Sequence, residues 1–300
     1  MENAKRNSRA LRRTLRRRKF GMFVKQVVGN RMALAGVIII AFFILMAVFG
    51  PMIMPFDPTI NGETVESKYN SPSWEHLLGT DSLGRDVLAN LMSGARVSLF
   101  VGISATLITM ILGTLIGIVS GYVGGFVDNL LMRVTDFFLV LPWLPFCMVL
   151  AALFDKNSIW NIILVIGLTG WSSTARIIRS QTLSVKEQQY VERTISIGAG
   201  KWHIMFRHIL PNVFPLVFSE AILIISGSIL TETSLAFLGL GDPSRPSWGM
   251  MLSDASSGAM SVGAWWCYII PGACVVLVAL GFTLMGYAFD EILNPKLKTR

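Results

Sequence analysis

The feature that most limits how this chain can fold is a series of apolar runs, each about as long as a bilayer-crossing helix. They cover residues 32–54, 97–121, 130–154, 213–237 and 265–289, and a shorter sixth run at 159–175 ends in Trp171-Ser172-Ser173-Thr174. About 20 apolar residues in a helix span a hydrocarbon core about 30 Å thick. In lipid each backbone N–H and C=O must be satisfied within its own segment, which favours helices. Of the 300 residues 53% are hydrophobic and only 15% charged, which excludes an ordinary soluble domain and with it a soluble enzyme. The expected fold is all-α: a polytopic membrane protein with six transmembrane helices.

The net charge of +8 would suggest nucleic acid in a soluble chain, but here the placement of the basic residues sets the topology. If the chain starts in the cytosol and crosses six times, eleven Lys and Arg lie in the N-terminal segment. Arg133 flanks the first inner turn. Arg176, Arg179, Lys186, Arg193, Lys201 and Arg207 fall in the second inner segment, and Lys296, Lys298 and Arg300 in the tail. That places 21 of the 26 inside and leaves Lys68, Arg85, Arg96, Lys156 and Arg245 outside, the asymmetry of the positive-inside rule. Dropping the run at 159–175 would put six basic residues on the wrong side, so it is kept as a span. The expected organisation is a basic cytosolic segment 1–31, a first span 32–54, an outer loop 55–95, a five-helix core 96–290 with a cytosolic loop 176–212, and a cytosolic tail 291–300. The basic N-terminus resembles the start of a signal peptide, but the apolar run after it is too long and lacks a small-x-small cleavage site, so it is expected to stay as a span.

Cys147, Cys267 and Cys274 all lie within apolar runs and are expected to be free thiols. Gly113, Gly117 and Gly121 recur every four residues on one face of the second span, a pattern that lets helix backbones approach closely. Pro142 and Pro145 should kink or break the third span.

The most informative polar stretch is 187–212. Tyr190, Val191, Thr194, Ile195 and Ile197 form a short apolar face, Gly198 and Gly200 break the helix, and a second amphipathic piece runs to Pro211. On composition alone, this pair of short helices could also be a hairpin lying on anionic lipid. Gly198-Ala199-Gly200-Lys201 is not a phosphate loop, because the motif's first glycine is missing, Trp202 stands where Ser or Thr would hold magnesium, and no strand precedes it. His203 and His208 are five apart, missing the i, i+4 register of a helical metal pair, and no metal site is expected.

Tyr190-Val191-Glu192, then Gly198-Ala199, then His208-Ile209-Leu210-Pro211-Asn212 resemble the cytoplasmic coupling loop of permeases in binding-protein-dependent ABC importers. Two further stretches are similar to the second permease of dipeptide, oligopeptide and nickel importers. One is His76-Leu77-Leu78-Gly79-Thr80-Asp81-Ser82-Leu83-Gly84-Arg85-Asp86 running into Gly94-Ala95-Arg96. The other is Glu232-Thr233-Ser234-Leu235-Ala236-Phe237-Leu238-Gly239-Leu240-Gly241 with Pro246-Ser247-Trp248-Gly249. The closing Asn294-Pro295-Lys296-Leu297-Lys298 is similar as well, so the resemblance runs from about residue 25 to the end. The chain departs from the family pattern at Arg193-Thr194, where two alanines are usual, and at Gly286-Tyr287.

The resemblance implies a type I ABC importer permease fold with a cytoplasmic coupling helix, and import of di- or oligopeptides through a pathway shared with a second, homologous permease. It implies a multi-pass place in a bacterial or archaeal cytoplasmic membrane, with both termini cytosolic. Two cytosolic ATPases would carry ATP and magnesium and meet Tyr190, Glu192, Gly198, Ala199, His208 and Pro211. An extracytoplasmic binding protein would deliver substrate. The chain itself is expected to hold no cofactor, bind no nucleic acid and catalyse nothing. Nickel or another small solute, a non-conducting scaffold and an ion-coupled transporter are the alternatives; the last would need a mid-membrane ionisable relay and has no use for a coupling loop.

The outer loop is acidic, and its signature Gly79, Asp81, Gly84, Arg85 and Asp86 is expected to fix the loop by local ion pairs, since it lacks the alternating oxygens of a calcium loop. Three acids lie within spans and should avoid lipid. Asp136 is expected to pair with Arg133, one turn away. Glu232 should tie its helix to the following loop, and Glu220 should face the pathway or the partner permease.

Overall fold

The structure is a computed structural model that describes residues 21–22, 25–54, 68–154 and 158–293. The outer-loop acids Asp57, Glu63 and Glu66, most of the basic N-terminal segment and the tail from Asn294 lie outside the described residues. Among those described, the regular elements are helices: α1 (Arg31–Ile53), α2 (Val87–Val123), α3 (Gly125–Val140), α4 (Trp143–Leu153), α5 (Ile159–Thr169), α6 (Trp171–Lys186), α7 (Gln189–Ser196), α8 (Lys201–Leu240), α9 (Trp248–Gly258) and α10 (Trp266–Leu293). Five stretches are long and apolar enough to cross a membrane, with α5 and α6 together forming one (Ile159–Lys186), and α3 with α4 makes a sixth bent by 92°.

Polar sequence hid several helix ends. α2 begins at Val87, ahead of the apolar run, so 87–95 form its first turns and the outer loop ends at Asp86. The Asp86 carboxylate caps this start by accepting from the Leu88 and Ala89 N–H groups at 2.8 and 3.1 Å. These turns pack on protein, with Gly94 against Trp248, so they need no lipid-facing apolar surface. The fourth span likewise extends past 175 to Lys186.

The second short helix expected after Gly200 does not stand alone. It is the start of α8, which continues from Lys201 through a π-turn, Pro211 and Pro215 to a kink at Gly239. Proline interrupts the third span as expected: Leu141, before Pro142, is extended at φ −68°, ψ 133°, and the chain re-enters a helix at Trp143. Pro145 sits in the first turn of α4, where a missing N–H costs nothing.

The glycine face of α2 packs on α6. A Cβ on Gly113 would lie 2.6 Å from Thr174 Cβ, on Gly117 2.7 Å from the Ala175 carbonyl oxygen, and on Gly121 2.9 Å from Thr182 Cβ. A second close crossing joins α1 to α10, where Gly36 meets the Gly281 carbonyl. One core forms where α1, α2, α8, α9 and α10 meet around Phe43, Leu99, Ile229, Trp248 and Phe282. Another lies at the far end of α2, around Tyr122, Ile178, Val191, Ile204 and Val213.

Candidate functional site

Three groups of side chains sit at successive levels of the bundle. The first is the α7 corner. Val191 is fully buried among Tyr122, Ile178 and Ile209, which roots α7 on the bundle. Glu192 is exposed, and so are the apolar Tyr190, Ile195 and Ile197, the last at 84%. Gly198 turns the chain at φ +83°; a Cβ there would meet nothing within 4 Å, so backbone conformation alone calls for glycine. Ala199 is half-buried beside this corner.

In α8 the next turns open into a π-helix at Met205–Ile209, where the Leu210 N–H donates to the Met205 carbonyl. Pro211 accounts for the widening: its ring clashes with the carbonyl four residues back in an α-helix, and it has no N–H to give. The Asn212 side-chain amide donates to the His208 carbonyl at 2.6 Å. The extra residue in this turn corrects the register argument made from sequence. His203 and His208, five apart, lie together with ring centroids 5.5 Å apart.

The second group lines an open groove of about 1080 Å³ between α2, α3, α6 and α8. Glu220, Ser172, Ser173, Ser228 and Thr231 supply its polar wall, opposite Phe138 and Trp143. Glu220 is half-buried and, among the described residues, has no hydrogen-bond or ion-pair partner. Across α8 a second groove, of about 1320 Å³, is almost wholly apolar, with Leu107, Met110, Phe214 and Phe218 in its walls. Asp136 pairs with Arg176 of α6, not with Arg133 as expected, because the fold brings α6 alongside α3. A bidentate Asp128–Arg179 pair, both bonds 2.6 Å, braces the same two helices and was missed. Its sequence signal was an acid at the start of one span and a base near the end of the next.

The third group is a cap at the other end of α2. Asp81 accepts from the Leu83 and Arg85 N–H groups, from Arg85 Nε at 2.8 Å and from Asn90 Nδ2 at 3.0 Å. His76 Nδ1 lies 2.9 Å from Asp86 Oδ2. Gly79 is at φ +72°, where a Cβ would lie 2.5 Å from the Asn70 carbonyl oxygen, and Trp266 Nε1 donates to the Thr80 carbonyl. Gly84, at φ +78°, closes the turn between Asp81 and Arg85. The Asp81–Arg85 ion pair is thus one of the local ties in this loop. Asp254 of α9 lies 3.5 Å from Arg85, and burial together with the Asp81 charge outweighs Arg85 to push its carboxyl above the ordinary range. Glu232, 1% exposed, accepts from Ser98 Oγ at 3.0 Å, and Ser98 Oγ in turn accepts from the Trp248 N–H. It therefore joins α8 to α2 and to the segment after α8.

Among the described residues no three His, Cys, Asp or Glu side chains gather as a metal site. The arrangement offers a rooted corner, a long helix and a polar groove.

Residues 113–299 match the family described as binding-protein-dependent transport system inner membrane component. Residues 19–72 match the N-terminal transmembrane domain of oligopeptide transport permease C. The chain is 35% identical over 270 residues to the oligopeptide transport system permease protein OppC of Bacillus subtilis, covering 90% of this chain and 87% of that one. It is equally identical, over the same length, to the dipeptide transport system permease protein DppC of that organism, covering 90% of this chain and 83% of the relative. To the OppC protein of Haemophilus influenzae it is 36% identical over 268 residues, or 89% and 85% of the two chains. With most of its length matched in both kinds of comparison, the chain belongs to the permease family of the binding-protein-dependent transport systems.

Proposed function

We propose that this chain is one of two permease subunits of an ATP-driven importer of di- or oligopeptides. It would lie in the cytoplasmic membrane with both termini in the cytosol, where 21 of its 26 basic residues then fall. The relatives named as oligopeptide and dipeptide permeases support the cargo. The observation that carries the reading is the α7 corner, because a rooted helix that turns Tyr190, Ile195 and Ile197 outward beside Glu192 is a surface made for a protein partner. That partner is an ATPase subunit, one of two, carrying the ATP and magnesium; an external binding protein delivers the peptide at the Asp81–Asp86 end.

α8 joins the parts mechanically. It extends about 47 Å at 1.5 Å per residue from the corner at Lys201, past Glu220 in the groove wall, to Glu232 held by Ser98. Pressure on α7 swings α8 about its anchored far end and changes the width of the groove. The groove walled by Glu220, Ser228 and Thr231 is this chain's half of the pathway, since a carboxylate left unpaired at this depth, as Glu220 is among the described residues, needs water or a substrate. The apolar groove on the other side of α8 faces lipid or the second permease.

Cysteine at 197 tests the coupling. In membranes holding the whole importer it should cross-link to an ATPase subunit, and Gly198→Val should stop uptake while insertion is unchanged. Valine at φ +83° costs on the order of 1–2 kcal/mol and distorts the corner. Normal uptake by Gly198→Val and no cross-link from position 197 would refute the coupling role. Unimpaired di- and oligopeptide uptake in cells lacking the chain would refute the cargo.

A further inference from the structure

Three histidines occur in the whole chain, and two of them are brought together by a departure from α-helical geometry. In an α-helix, residues five apart diverge by about 140° around the axis, so imidazoles at 203 and 208 would point to different sides. The π-turn at Met205–Ile209 takes up one extra residue, and position i+5 lands where i+4 would otherwise lie. The result is a ring-centroid separation of 5.5 Å at an interplanar angle of 55°. The rings are tilted, not stacked flat, so one nitrogen of each can approach a common point.

Neither ring has a hydrogen bond or ion pair among the described residues, and His203 is exposed while His208 is half-buried. Lys201 and Arg207 flank the pair. Their charge disfavours binding by simple attraction and leaves nitrogen coordination as what the site offers. Neutral imidazole suits zinc, copper and nickel; calcium and magnesium prefer oxygen.

We propose that His203 and His208 form a two-imidazole chelate for a late first-row divalent cation, of the zinc, copper or nickel class. The chain supplies two of the ligands, and water completes the shell in the isolated subunit. Because the pair sits on the first turns of α8, directly after the Gly198 corner, a bound ion also obstructs the surface assigned above to the ATPase. That consequence rests on the coupling reading, whereas the site itself does not.

The chain is purified in detergent without a polyhistidine tag and titrated with Cu²⁺, the nitrogen ligands being counted by electron paramagnetic resonance, and with Zn²⁺ by calorimetry. The expected result is one ion per chain with two coordinated nitrogens, and no competition from Mg²⁺. His203→Ala, His203→Gln or His208→Gln should each weaken binding about a hundredfold, the low end of the gain from linking two ligands. His76→Ala, at the opposite end of α2, should leave it unchanged. Parent protein that binds Cu²⁺ and Zn²⁺ no more tightly than the His203→Gln, His208→Gln double variant would overturn the proposal. Low-micromolar Zn²⁺ should also inhibit peptide uptake by the parent importer and spare His203→Gln. Binding with no effect on uptake upholds the chelate and counts against the coupling surface, so the two readings can fail separately.

Discussion

The packing of α2 on α6 makes a quantitative test of how the bundle holds together without a hydrophobic effect between its helices. Gly117 is the most demanding position on the seam. A Cβ there would lie 2.7 Å from the Ala175 carbonyl oxygen, 2.8 Å from Ile178 Cβ and 3.0 Å from the Arg179 nitrogen. Two of these three are backbone atoms, so no side-chain rotation relieves the contact and the helices must separate. Overpacking of this kind costs about 1–3 kcal/mol, a factor of about 5 to 150 in the folding equilibrium. The loss should exceed the bare methyl clash, because lifting α6 also loosens the contacts of Gly113 with Thr174 and Gly121 with Thr182. Gly272→Ala is the control: its Cβ would meet only Leu252 Cδ2, at 3.9 Å, so it keeps the helix-propensity gain of up to about 1 kcal/mol without strain. The two variants should therefore move in opposite directions. Thermal unfolding in detergent, followed by size-exclusion recovery of the monodisperse chain, should show Gly117→Ala losing several degrees and Gly272→Ala losing none. Equal midpoints for the two would refute the argument that close backbone approach at this seam stabilises the fold.

Two further outcomes follow from charged groups. Burial and Asp81 raise the carboxyl of Asp254 above its ordinary value of 3.8, so the folded chain holds this proton more tightly than the unfolded one and stability falls as pH rises through that interval. Asp254→Asn should raise the melting temperature at pH 7 and have no such effect below the ordinary value; a variant no more stable than the parent at pH 7 would contradict the sign. Glu220→Gln should keep uptake of neutral peptides and weaken uptake of lysine- or arginine-containing ones. Equal uptake of both classes by variant and parent would remove Glu220 from the pathway.

Elements carried by apolar periodicity were legible in the sequence, and those carried by contacts to other protein segments were not. The glycines of α2 announced their seam because four-residue spacing maps directly onto one helix face. The break at Pro142 was legible because proline acts on its own backbone and the residue before it. The start of α2 at Val87 was not, since Asn90 and Arg96 read as loop until Trp248 and Asp81 are there to receive these turns. Asp136 was assigned to Arg133 because a single sequence offers only near neighbours, whereas Arg176 is 40 positions away and arrives through the fold. The histidine pair was lost to a counting rule that holds for α-helices and fails where Pro211 forces a wider turn.

The two glutamates of α8 show how burial alone can mislead about function. They stand twelve residues apart, about 18 Å along the helix and about 120° around it, and so face different neighbours. Glu232 is the more deeply buried, yet its bond from Ser98, and through Ser98 its tie to the Trp248 backbone, commit it to holding three segments together. Replacing it would leave the Ser98 hydroxyl short of an acceptor, the loss expected of a structural bond. Glu220 is only half-buried, but it stands unbonded in the wall of an open groove, beside hydroxyl groups that do find partners: Ser228 meets Thr106 Oγ1 at 3.1 Å, and Thr231 donates to the Gly227 carbonyl at 2.9 Å. A carboxylate within a span that the chain leaves unbonded is costly in lipid, and that cost is met only where water, a partner subunit or a passing substrate supplies what the fold withholds. The absence of a partner among the described residues, more than depth of burial, is what supports the proposal that Glu220 acts on something outside this chain.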